Sequence, residues 1–327
     1  MSNSELIEID CSIGEGGGQM IRTALCLSAI TKKPIRLFNI RANRPNPGLA
    51  AQHLAACKAV RSIARGTIQG ADLGSQEIVF HPGEIVGGKY EFNIGTAGSV
   101  ALLAQTILPI LLLASKDSEI KITGGTFVQK SPGYDYFENV FLPAIERFGA
   151  SVSSKIIKPG YYPAGGGIIS ISIKPSELKG CTNWATEKIT KCIIRLSGLD
   201  DIIAIREKKI FIQNGIENVY LRRDESLSVG NCVTAWSGFC GSFVLGQKGK
   251  RSEVVAQECI DQLNLENKAI DQHLADQLLV YMALAEGESR FATSALTSHL
   301  LTNIDVISRF INREILSDDR NGNVSII

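Results

Sequence analysis

Three stretches of the chain repeat one order of apolar and polar positions. In the first, "IGEGGGQMIRTALCLSAIT" (13–31) leaves a glycine-rich turn for a run whose apolar residues recur at three- and four-residue steps. That is the period of a helix with one buried face. "PIRLFNI" (34–40) then has strand character, and after a proline loop "GLAAQHLAACKAVRSIARG" (48–66) returns to the helical period. The second stretch follows the same plan: helix in "IGTAGSVALLAQTILPILLLA" (94–114), strand in "EIKITGG" (119–125), helix in "PGYDYFENVFLPAIERFGA" (132–150). In the third, "HLADQLLVYMALAEG" (273–287) is the first helix, "ESRFATSA" (288–295) the strand and "TSHLLTNIDVISRF" (297–310) the second helix. Gly14 and Gly95 set the repeat at about 80 residues, too long for a solenoid and suited to three similar α+β units packed together. Between the second and third copies, roughly 180–270, lies an extra block with strand-like "KCIIRLSGL" and "GFCGSFVLG" and a charged helical pattern over 252–266. The economical expectation is an inserted second domain.

Composition narrows this picture only a little. With 327 residues, 44% of them hydrophobic, the chain can bury a large core. Lys and Arg total 34 against 33 for Asp and Glu, so any polyanion must be held by local clusters rather than a global field. The eight cysteines contain no CxxC pair and no zinc spacing, and several sit in apolar stretches as reduced core thiols do. No charged-then-apolar leader opens the chain, and "VALLAQTILPILLLA" (100–114) is too short to span a bilayer. The expectation is a cytoplasmic protein with no membrane partner; its oligomeric state is left open.

Chemistry concentrates in a few places. "GEGGGQMIR" (14–22) can bring backbone N–H groups against a phosphate, but Gln19 breaks the GxGxxG pattern, and a tight turn is the simpler reading of its glycines. Glu15 is odd inside such a loop unless it holds a cation or a hydroxyl. "GSFVLGQK" (241–248) misses the P-loop lysine by one residue and is expected to be strand and turn. In "IRANRPNPGLAAQH" (40–53), Arg41 and Arg44 sit in a proline-stiffened loop that runs into a helix start carrying Gln52 and His53. A phosphate site and a solvated loop are equally compatible with it. Asp276 and Gln277 either cap their helix or receive a ribose or base, capping being the default. Finally, Thr297 and Ser298 are good N-cap residues, which puts His299 in the first turn of a helix buried along Leu300, Ile304, Ile307 and Ile311. The dipole disfavours imidazolium there, so a neutral ring is expected, fit for a nucleophile, a metal ligand or plain packing.

Taken in order, "GEGGGQMIRTALCLSAIT", "IRANRPNPGLAAQHLAA", "LGSQEIVFHPG", "IGTAGS", "GGT", "YYPAGGG", "LADQLL" and "SHLLTNIDVISRF" resemble the RNA 3′-terminal phosphate cyclase family over nearly the whole chain. The resemblance implies an α+β fold: three similar βαβ-type units forming a large domain (1–182 and 271–327), with a smaller α/β domain (183–270) inserted in the third. It implies an ATP-dependent, AMP-forming ligase acting on RNA 3′-phosphate ends, through a histidine–AMP and an RNA–pp–A anhydride. By the same matching, His299 would be the nucleophile and Glu15 would help hold a divalent cation, Mg2+ or Mn2+. Arg22, Arg41, Arg44, Gln52 and His53 would line the phosphate and RNA-end side. Gln105, His273, Leu274, Ala275, Asp276 and Gln277 would contact ATP. Two positions depart from the pattern: Pro159 precedes Gly160 where Arg or His is usual, and His273 replaces an aromatic residue before "LADQ". Two alternatives share features with this reading. A non-catalytic cyclase-like protein of ribosome biogenesis would lack the histidine, and a carboxyvinyl transferase would have similar architecture without a histidine–AMP.

Overall fold

The computed structural model describes residues 5–13, 17–186 and 189–327. The first unit runs β1 (Ile7–Asp10), α1 (Gly18–Thr31), β2 (Ile35–Phe38), α2 (Ala51–Ile63), β3 (Thr67–Gln69) and β4 (Ile78–His81). Its sheet has the order β1-β2-β4-β3, with one parallel pairing, β1 on β2, and two antiparallel ones. Parallel neighbours need a crossover, and α1 supplies it. The second unit repeats the plan with β5 (Lys89–Asn93), α3 (Val100–Leu112), β6 (Ser118–Gly124), a second helical segment, β7 (Ser151–Lys158) and β8 (Gly167–Lys174). The sheet order is β5-β6-β8-β7, again parallel once and antiparallel twice.

Four strands and two helices follow: β9 (Lys191–Ser197), α6 (Ile202–Gln213), β10 (Asn218–Asp224), β11 (Gly230–Ser237), β12 (Cys240–Leu245) and α7 (Ser252–Leu265). They form a sheet of order β10-β9-β11-β12 with its own apolar cluster around Ile194, Phe211, Val233, Val255 and Ile260. The third unit is α8 (Gln272–Leu284), β13 (Ser289–Ala292), α9 (Ser298–Ser308), β14 (Ile315–Asp318) and β15 (Asn323–Ile326), with the order β13-β15-β14. Beside β13, the place that β1 and β5 hold in their sheets is taken by two separate pieces of chain. Lys179 bridges Glu286 and the Cys181 carbonyl accepts from Arg290 N at 3.0 Å, while Ile270 bridges Thr293. The fold is thus mixed α+β, with three similar units and a fourth sheet leaving between those two pieces.

The helices of the three units pack on one another and the sheets flank them. α3 is apolar on nearly every side, which suits only a buried position, and it lies against α1, α2 and α8. Two features differ from the expectation. The single helix expected over 132–150 is α4 (Tyr134–Tyr136), a π turn (Phe137–Phe141) and α5 (Leu142–Glu146). Pro143 lacks an N–H and its ring crowds the carbonyl four residues back; the wider π turn before it gives the room. α6 and its neighbouring strands β10 and β11 were not expected. Ile202, Ile205 and Ile212 of α6 are exposed while Phe211 is fully buried, so its apolar residues mark no single face.

A buried charge cluster ties the fourth sheet to the second unit. Arg195 of β9 donates Nε and Nη2 to Asp135 at 2.7 and 2.8 Å, and Nη1 to Asp224 at 2.9 Å. Its guanidinium lies 5.0 Å above the Phe127 ring, and Tyr161 Oη donates to Asp224 at 2.7 Å. Removing one partner of such a cluster strands the others in low dielectric. Arg195→Met is therefore expected to lose about 3–5 kcal/mol of stability, read as a lower denaturant midpoint; a midpoint equal to that of the wild type would contradict this account.

Candidate active site

His299 stands where the start of α9 meets the start of α1. Thr297 caps α9, its Oγ1 accepting from Leu300 N at 3.0 Å, and Leu300 and Ile307 are fully buried along one face. This fixes His299 in the first turn, half-buried. A Cβ built on Gly17 would lie 3.7 Å from His299 Cε1 and 3.9 Å from Arg44 Nη2, so the ring and that guanidinium share one side of the α1 start. Gly17 is the N-cap of α1 and brings no side-chain cap. An uncapped helix start leaves backbone N–H groups for an anion.

One residue further, the absence of a side chain is obligatory. A Cβ on Gly18 would sit 2.0 Å from His53 Nε2 and 3.2 Å from Arg22 Nη1. His53, in the first turn of α2, accepts from Ala50 N through Nδ1 at 3.3 Å. Its proton therefore belongs on Nε2, the nitrogen that faces Gly18. Burial, helped by the charges of Arg22 and Arg41, pulls the His53 pKa down to about 3. Burial likewise lowers Arg22 to about 10, which leaves it charged at neutral pH. No carboxylate pairs with Arg22 among the described residues. A partly buried cation beside a neutral N–H donor is a place prepared for an anion.

The loop that brings Arg41 and Arg44 is held, not merely solvated. Arg41 adopts a left-handed backbone at φ 52° and donates Nη1 to the Gly48 carbonyl at 2.8 Å. Ile40 N and Gly48 N are both engaged, with Gln76 O and Ile40 O. A non-glycine residue keeps such a conformation only where its surroundings over-determine it. Gln52 reaches the second unit instead: its Nε2 donates to Ser99 O at 3.2 Å, next to the Gly98 turn.

The residues expected on the ATP side divide. Gln105 of α3 donates to Gln277 Oε1, and Gln277 Nε2 donates to the His273 carbonyl at 2.8 Å. Asp276 accepts from Thr297 Oγ1 at 2.7 Å, which joins α8 to the cap of the histidine helix. Asp276 does not cap α8; that cap is Asp271, whose carboxylate accepts from His273 N and Leu274 N at 2.9 and 2.7 Å. Leu274 and Ala275 are fully buried in the core, and their N–H groups are taken by Asp271. Glu15, expected at a cation, lies outside the described residues.

Two contributors escaped the sequence reading. Asn303, 3% exposed, takes Thr23 Oγ1 at 2.6 Å on Oδ1 and donates Nδ2 to Asp276 O at 3.0 Å. Its signal was present: a polar residue on the buried stripe between Leu300 and Ile307. Asp271 gave no such signal, since its partners Tyr136 and Gly241 are distant in the chain. A cavity of about 1060 Å3 opens elsewhere, around Trp184, Phe239, Glu266 and Arg290, and none of the expected site residues lines it. Its walls mix both signs of charge, whereas cations and N–H donors converge beside His299; chemistry, not cavity size, marks the site.

Two outcomes follow from His53 and Gly18. The folded state holds His53 neutral, so between about pH 6.5 and about pH 3 the unfolded chain binds one proton more. Stability should decrease as pH is lowered across that window, by up to about 1.4 kcal/mol per unit from this group. The difference between wild type and His53→Gln in denaturant titrations at several pH values isolates it, and parallel curves would refute it. Gly18→Ala should displace His53 and Arg22 and weaken binding of a phosphate-bearing ligand at least about tenfold. Unchanged affinity by calorimetry would show that the close approach is not needed.

Comparison with known proteins identifies the family. A family model described as RNA 3′-terminal phosphate cyclase matches residues 13–316. The RNA 3′-terminal phosphate cyclase of Archaeoglobus fulgidus is 42% identical over 319 residues, covering 95% of this chain and 97% of the relative. Those of Sulfurisphaera tokodaii (42%, 95% of each chain) and Methanosarcina mazei (39%, 97% of this chain and 98% of the relative) are similar over the same extent. A family match over residues 13–316 and full-length kinship at about 40% identity lead to one conclusion: the chain belongs to the RNA 3′-terminal phosphate cyclase family.

Proposed function

We propose that the chain uses ATP to convert an RNA 3′-terminal phosphate into a 2′,3′-cyclic phosphate, with His299 as nucleophile. The observation that carries this is the position of the His299 ring beside Gly17 and Arg44, at an α1 start without a side-chain cap. An anion bound to those N–H groups lies against the imidazole. A phosphate monoester is a poor electrophile until it carries a good leaving group, and covalent catalysis divides that difficulty. In the first step a ring nitrogen of His299 bonds to the α-phosphorus of ATP, and the bond to the β-phosphate oxygen breaks to release pyrophosphate. An oxygen of the RNA 3′-phosphate then takes the AMP, forming RNA–pp–A and freeing the histidine. Finally the ribose 2′-oxygen, losing its proton, bonds to the 3′-phosphorus while AMP leaves.

Within that scheme Arg44 and the α1 N–H groups hold the phosphate under attack. Arg22, Arg41, Gln52 and neutral His53 receive the RNA end. Gln105, His273, Asp276 and Gln277 hold the nucleotide, with Leu274 and Ala275 shaping that helix from the core. A divalent cation, Mg2+ or Mn2+, would offset phosphate charge through Glu15. Among the described residues no three His, Cys, Asp or Glu side chains gather into a cation site. We further propose that 183–270 is an inserted domain on the body made by 1–182 and 271–327. Among the described residues no helix is long and apolar enough to cross a membrane; the buried free thiols of the eight cysteines support our reading of a cytoplasmic protein.

ATP labelled at the α-phosphate should leave an acid-labile adduct on the wild type and none on His299→Ala. The variant should also lose cyclisation of RNA 3′-phosphate. A variant that still labels and cyclises would remove His299 from this role.

A further inference from the structure

The RNA strand behind its terminal phosphate needs somewhere to lie, and a loop of the second unit carries exposed apolar groups on a clamped stem. Gly165 N donates to Tyr161 O at 2.7 Å, closing a tight loop whose tip is Tyr162, Pro163 and Ala164. The stem of the loop is clamped from two sides. Tyr161 is buried, its Oη on Asp224 at 2.7 Å and its ring so close to Gly230 that a Cβ there would meet it at 2.2 Å. On the other side, a Cβ on Gly165 would stand 2.8 Å from Ala97 Cα. The tip itself is tied to the turn after β10, with Ala164 N donating to Ser228 Oγ at 3.1 Å.

Despite this rigid mount, the tip and that turn expose large apolar groups: Tyr162 is 74% exposed, Leu227 68% and Val229 62%. The two segments are adjacent: Leu227 is the first group that a Cβ on Gly166 would meet, at 2.8 Å, and Ser228 between Leu227 and Val229 holds Ala164 N. A relay of contacts runs from the stem of this loop toward the candidate site. Ala97 leads into Gly98, where a Cβ would lie 2.7 Å from Gln52 Oε1, and Gln52 precedes His53 at the Gly18 contact. An exposed aromatic side chain on a loop with a clamped stem, with exposed aliphatic residues on the turn tied to that loop, suits stacking of nucleobases, which stack on aromatics regardless of sequence.

We propose that Tyr162, with Leu227 and Val229 beside it, is a stacking platform for the bases of the RNA strand immediately upstream of the terminal 3′-phosphate. The proposal rests on the RNA-cyclase reading above. It assigns the loop of the second unit and a turn of the fourth sheet to one substrate surface, which gives the fourth sheet a part in holding RNA.

The test compares two short RNA 3′-phosphates with the wild type, Tyr162→Ala, Tyr162→Trp and Leu227→Ala. One RNA carries all its bases; the other is abasic at the nucleotides upstream of the terminal one. Tyr162→Ala should raise KM for the intact RNA about tenfold, Tyr162→Trp should restore it, and Leu227→Ala should raise it by a smaller factor. The abasic RNA should show the raised KM with the wild type and no further rise with Tyr162→Ala. The proposal is overturned if KM for intact RNA moves less than twofold in Tyr162→Ala, or if intact and abasic RNAs suffer equally; either would leave the patch to a protein partner. The protein–AMP adduct, formed without RNA, is followed in the same samples. Its absence from the wild type would count against the histidine mechanism and not against the platform.

Discussion

The arrangement of the site depends on one buried amide. Asn303 lies inside the core and joins three helices by two hydrogen bonds: Thr23 of α1 donates to it, and it donates to the Asp276 carbonyl of α8 from its own place on α9. Thr297, the α9 cap, closes the ring by donating to the Asp276 carboxylate. A buried polar group is stabilising only if its partners are all present. The relative rotation of α1, α8 and α9 is therefore restricted to the setting that satisfies this chain. One turn before Asn303, that setting puts His299 against Gly17. Apolar packing alone would tolerate some sliding of these helices, because hydrophobic contact is not directional.

Around this frame, one close approach depends on a missing atom. Gly18 lets the His53 imidazole of α2 reach the first turn of α1, while the His299 ring of α9 would meet a Cβ on Gly17 only at ordinary contact distance. The two rings are held differently. His53 is buried and kept neutral by desolvation and by neighbouring guanidinium groups, with its proton directed at the helix start. Neutral His53 adds no charge beside the guanidinium groups of Arg22 and Arg41. His299 is half-buried and in the first turn of its own helix, accessible in a way that His53 is not.

Much of this was legible in the sequence because it is written in short-range periodicity. The three units, the position of His299 after the Thr297 cap, and the helix carrying Gln52 and His53 all follow from residues within one or two turns of each other. What periodicity could not supply is what depends on distant partners. The role of Asp271 requires Tyr136 and Gly241, and the role of Gly18 requires His53. The Arg195 cluster joins residues of β9, β10 and α4. α6 was missed for a different reason: its isoleucines point to solvent as well as to the core, so the pattern carries no single face. The π turn was missed because a proline inside an apolar run constrains the backbone without changing the hydrophobic count.

The repeated unit also explains how a nearly neutral chain can hold a polyanion. Each crossover helix begins at one end of its sheet, and packing three units together brings several such starts to one place. α1 begins without a side-chain cap, α2 without one from its N-cap residue, α3 under the hydroxyl of Ser99 and α9 under that of Thr297. None of these caps carries charge and none of these first turns holds an acidic residue, so among the described residues the positive ends of the helix dipoles have no local counter-charge. α8 is the exception: its start is filled by the buried carboxylate of Asp271, which accepts from two of its N–H groups and from Tyr136. A charged cap there uses up the local potential for structure, and the start of α8 is turned to the fourth sheet through Gly241. Where the caps are neutral, three arginines add formal charge to the dipoles. The field that a phosphate meets is thus local, assembled from helix starts and loop guanidiniums, and it needs no excess of basic residues elsewhere.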